Sequence, residues 1–122
     1  ENEAYLEEFG TWMEDAGLKK GAISVHTDTV NHFLTTFVSH YIQVPMHFGA
    51  YLVRAYLGSY YIRKVFGVTP ADIKSVAKSL TEFYECMLDV GHIEQGDYDY
   101  LVKDIEDHLD EWCDLCDKYV HS

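Results

Sequence analysis

Cys113 and Cys116 are separated by two residues, a spacing that serves redox or metal chemistry in other settings. A redox dithiol of this type works within a strand–helix–strand unit, and a structural zinc needs four ligands. Cys86 and His108 are the residues that would have to complete a zinc set. The neighbouring apolar residues give a simpler role, because Cys116 falls on the inner stripe of a helix. A free thiol there packs as a small hydrophobe. The pair predicts packing and no metal.

The seven histidines invite a di-iron reading, which requires Glu-x-x-His pairs on facing helices. No histidine follows a glutamate at that spacing; the nearest case is Asp89 before His92. His26, His32 and His40 share no four-residue interval, so they are expected on helix surfaces. The acids from Asp97 to Asp117 resemble a calcium loop in composition but lack the glycine needed at its sixth position. They fit the solvated face of a helix. There is no Gly-x-Ser-x-Gly, no phosphate-cradling glycine loop and no Ser/His/Asp grouping. The expectation is a chain with no catalytic residue and no cofactor.

Basic residues remain. Arg63 and Lys64 follow Tyr60 and Tyr61, and rings beside cations can meet a nucleic acid. The competing reading is half-buried aromatics with basic side chains reaching past them to water. Charge is also sorted along the chain. Residues 1–16 hold six acids and no base, and residues 81–122 hold thirteen acids against Lys103 and Lys118. Between them, Lys19, Lys20, Arg54, Arg63, Lys64, Lys74 and Lys78 face only Asp28 and Asp72. The net charge of −12 would repel nucleic acid, whereas the partition allows a mildly basic central surface.

The elements that position these residues read as helices within a single domain covering 1–122. Apolar residues make up 48% of the 122 residues, enough for one full core and too many for disorder. The start at Glu1 rather than Met is what a fragment of a longer product would show. An odd number of cysteines, three, argues for a reducing cytoplasm. No apolar run approaches the roughly 20 residues of a membrane span.

Residues 4–16 place Tyr5, Leu6, Phe9, Trp12, Met13 and Ala16 on one helical stripe, with Gly17 as the left-handed cap and Leu18 folding back onto Met13. A second helix is expected over about 20–41, with Ile23, Val30, Phe33, Leu34, Phe37, Val38 and Tyr41 inward. Residues 46–66 keep helical spacing through Leu52, Ala55, Tyr56, Ile62 and Phe66, with Gly49 or Gly58 as places where they could split. Thr69, Pro70 and Asp72 form the clearest start, and the period runs from there to Gly91. The last helix is expected from near Asp97 to about 120, with Leu101, Ile105, Leu109, Trp112, Cys116 and Tyr119 inward. The fold class is all-α, a single-domain bundle of about five helices.

Two of these segments carry a resemblance. AYLEEFGTWMEDAGL, leading into Lys19–Val38, and IKSVAKSLTEFYECMLDVGHI later on are similar to the N-terminal SAM-like, core-binding domain of tyrosine recombinases and phage integrases. In the second segment Ser79-Leu80, Phe83-Tyr84, Leu88, Gly91 and Ile93 line up with the family's helix, and Glu94-Gln95-Gly96 stands where the family usually has Asn-Pro. The resemblance covers roughly 4–95. It implies that the second and fourth helices face DNA, which makes Lys19, Lys20, Lys74 and Lys78 the DNA-facing candidates; Arg63 and Lys64 join them on the strength of the rings beside them. It also implies that strand exchange belongs to a separate catalytic domain, since no His-x-x-Arg occurs here. The expected function is weak, non-catalytic binding of duplex DNA. The alternative is an acidic helical interaction module that meets a protein partner, or a second copy, through its last helix.

Overall fold

The computed structural model describes residues 1–121, and side chains through Tyr119. Helix α1 is Asn2–Asp15, with Phe9 and Met13 one turn apart and wholly buried. Its stop is made locally. Gly17 takes φ +88°, its N–H donates to the Glu14 carbonyl, and the Leu18 N–H donates to that of Met13. This is the Schellman arrangement the sequence predicts.

Helix α2, Lys20–Asn31, runs on as a π-helix over His32–Ile42. The sequence predicts one α-helix here, and the difference lies in the winding. A second π segment, Tyr56–Tyr60, sits between the short helices α3 (Val53–Ala55) and α4 (Tyr61–Lys64). The two π segments meet ring to ring: Phe33–Tyr56, Phe37–Tyr56, Phe37–Tyr60 and Tyr41–Tyr60 centroids lie 4.8–4.9 Å apart. Tyr41, expected inward, is 54% exposed and lies over Phe37 and Tyr60 instead.

Residues Met46–Tyr51 form a 3₁₀ helix, and the break from α3 falls at Leu52 rather than at either glycine. Gly49 and Gly58 admit large side chains. A Cβ on Gly49 would lie 2.1 Å from Tyr84 Oη, and one on Gly58 would lie 2.9 Å from Trp112 Cδ1.

Helix α5, Pro70–Asp89, opens at the predicted start, where Thr69 and Asp72 form a capping box: the Thr69 hydroxyl accepts from the Asp72 N–H, and the Asp72 carboxylate accepts from the Thr69 N–H. Helix α6, Gln95–His121, begins two residues before the expected start, and Asp97 accepts from the Glu94 N–H at 2.9 Å. Thiols near the end of α6 face the start of α5, so the two helices run antiparallel. Trp112 and Cys116 are buried as expected, whereas Tyr119 is 53% exposed.

One core joins all these elements, built around Phe9, Phe33, Phe37, Tyr56, Phe83, Tyr84 and Trp112. The architecture is an all-α bundle. Among the described residues there is no strand, and no helix is long and apolar enough to cross a membrane.

Candidate nucleic-acid interface

The six basic candidates fall into three adjacent pairs. Lys19 and Lys20 stand at the start of α2, Arg63 and Lys64 end α4, and Lys74 and Lys78 lie one turn apart on α5. All six are exposed, and none forms an ion pair among the described residues. Arg63 donates only to Ser59 Oγ, one turn back on its own chain segment, at 3.2–3.3 Å. The remaining base of the central block behaves differently. Arg54 donates from Nη2 to the buried Asp104 carboxylate at 2.7 Å, and this pair ties α3 to α6.

Helix α5 sets the directions. It turns Ser79 toward α2, where His26 Nδ1 meets Ser79 Oγ at 2.7 Å. Lys74 lies about 140° around the helix from Ser79 at roughly 100° per residue. It points over α6, where its charge works against the burial that raises the Cys113 thiol pKa. Asp110, Asp114 and Asp117 of α6 act on the same thiol in the opposite sense. Lys74 therefore borders an acidic helix, and α2 packs on another side of α5. No hydrogen bond or ion pair links one basic pair to another.

The Arg63–Lys64 pair leads into a feature the sequence pattern misplaces. Phe66, expected on the inner stripe, is wholly exposed. The chain leaves the helix after Lys64: Val65 is extended and Gly67 takes φ +76°. This turn brings Val68 into the core and holds the Phe66 ring outside it. Beside the ring is a groove of about 550 Å³ that also touches Ile62, Val65, Val68 and Tyr119. Gly67 is the one sequence signal that marks the turn.

The C-x-x-C pair anchors this tip from below. Cys116 Sγ donates to the Val68 carbonyl at 3.3 Å, and Cys113 Sγ to that of Pro70 at 3.7 Å. Cys86 faces the Glu8 carbonyl of α1, so the three thiols do not share a site. Burial raises the pKa of each, that of Cys86 to about 12. His108 stacks on Trp112 beside Asp104. Contrary to expectation, His26 and His32 are half-buried and bonded to side chains of other helices, because Ser79 and Tyr56 hydroxyls face them at 2.7 Å; His40 alone of the three is exposed. Among the described residues no group of three or more His, Cys, Asp or Glu is placed to hold a metal ion.

No family model, no curated protein and no solved structure matches the chain.

Proposed function

We propose that this chain is a non-catalytic helical module that binds duplex DNA weakly through the bases of its central block. One observation carries the proposal. In a chain of 21 acids and 9 bases, Lys19, Lys20, Arg63, Lys64, Lys74 and Lys78 are all exposed, and none is ion-paired among the described residues. Cations left free in this way can release counterions from phosphates, which is the source of sequence-independent DNA affinity. The likeness to a recombinase core-binding domain supports the same assignment, as one part of a larger recombination protein. The three free thiols fit a cytoplasmic setting.

A duplex titration followed by fluorescence anisotropy tests it. Binding at about 20 mM salt should weaken steeply as salt rises, with a log–log slope approaching about −5 if all six bases neutralise phosphates. Joint substitution of Lys74→Glu and Lys78→Glu should weaken binding, lower that slope by about two and leave the helical circular dichroism intact. Absence of binding at the lowest salt overturns the proposal.

The second reading rests on α6. Its exposed Glu106, Asp107, Asp110, Glu111, Asp114 and Asp117 engage one lysine, Lys103, which bonds Asp107 at 3.0 Å. Such a surface suits a basic protein partner. A homodimer built on it would set like charges face to face, so sedimentation should detect that dimer only at high salt.

A further inference from the structure

We propose that Phe66 stacks on an unpaired nucleobase while Arg63 and Lys64 hold the flanking phosphates, so that the preferred ligand is duplex DNA carrying a single-stranded segment. This rests on the DNA reading above and names the form of DNA it favours.

Phenylalanine normally contributes by leaving water, and four of the six in this chain, Phe9, Phe33, Phe37 and Phe83, are wholly buried. Phe66 has no such cover. The tip that carries it is nonetheless well defined: Gly67 turns the chain, Val68 is docked in the core, and Cys116 holds the Val68 carbonyl. The ring is thus presented outward by a fixed turn.

Chemistry beside the ring selects the partner. Arg63 and Lys64 line the groove with it, are exposed, and form no ion pair among the described residues. Asp72, the acid closest in sequence to the tip, is exposed, and its carboxylate is engaged in capping α5. A flat apolar ring flanked by cations complements a polyanion with flat apolar units. Within a continuous duplex each base face is covered by its neighbours and must be unstacked before a ring can reach it, a cost that an unpaired base avoids.

The test uses a plain duplex and the same duplex with a single-stranded tail of about ten thymidines, within the span of one single-strand binding site. The unsubstituted chain should bind the tailed form about tenfold more tightly. Phe66→Ala should reduce that affinity to the plain-duplex level, and Phe66→Trp should restore it with quenching of indole emission by the tail alone. Circular dichroism of each variant checks folding.

If both DNAs bind and Phe66→Ala behaves as the unsubstituted chain does, this inference falls while the duplex reading stands. If neither DNA binds, both fall. If sedimentation shows a dimer that Phe66→Ala converts to monomer, the ring is covered by a second copy and the inference is overturned.

Discussion

His32 shows how burial decides a proton's position. Its Nδ1 lies 2.7 Å from Tyr56 Oη, and burial lowers the imidazole pKa while raising that of the phenol far above its usual value. The phenol therefore keeps its proton and donates it to Nδ1, which assigns the histidine's own proton to Nε2. Folding thus favours neutral His32, whereas the unfolded chain takes up a proton near pH 6.5. The unfolded state binds more protons below that value, so stability falls as pH drops through it. Urea midpoints should decline between pH 7 and pH 5, and less steeply in His32→Gln; parallel declines would refute the assignment. The thiols give the opposite sign. Cys86 is raised to about 12 in the fold, above its ordinary value of 9.0, so its contribution is present below pH 9 and is lost as pH rises further. Iodoacetamide at pH 8 should label none of the three cysteines in the native protein and all three in urea. Rapid native labelling at Cys113 or Cys116 would mean that the tip they anchor opens readily.

At the level of elements, the end of α1 and the start of α5 were legible in sequence and the helix windings were not. Gly17 and Leu18 close α1 with partners no more than five residues away, and Thr69 with Asp72 opens α5 over three. Local chemistry of that kind survives any tertiary setting; Thr69→Ala should cost about 1 kcal/mol. The π segments meet through Phe33, Phe37 and Tyr41 on one side and Tyr56 and Tyr60 on the other. An apolar period alone does not separate that winding from an α-helix. Gly49 was visible as a candidate break, but its function depends on Tyr84, 35 positions further on. The Tyr84 ring is wholly buried, and its hydroxyl donates to the Met46 carbonyl at 2.8 Å, so it cannot retreat from a Cβ placed 2.1 Å away. Gly49→Ala should destabilise the fold by about 1–3 kcal/mol through overpacking, measured by urea unfolding. An unchanged midpoint would show that Tyr84 has another place to go.

For the whole molecule, the sorting of charge along the sequence survives folding only in part. The six free bases were readable as residues, because exposed lysine and arginine need no tertiary information. The directions in which these pairs point were not readable, since they depend on how α5 turns Ser79 to one neighbour and Lys74 to another. The Phe66 tip escaped the pattern because the chain leaves the helix to bring Val68 into the core. Folding also gathers the acids of α6 on a helix that Lys74 borders, so the compact state concentrates a net charge of −12. Self-repulsion of that size opposes folding, and salt screens it, with a Debye length that shortens from about 30 Å at 0.01 M to about 3 Å at 1 M. The same ions compete with the bases for phosphates. Fold stability and DNA binding should therefore respond to salt in opposite directions. Raising sodium chloride from about 0.01 M to about 0.5 M should increase the thermal midpoint by circular dichroism, while DNA affinity falls over the same range. A midpoint that falls with salt would mean that attractive pairs such as Arg54–Asp104 outweigh the acid–acid repulsion.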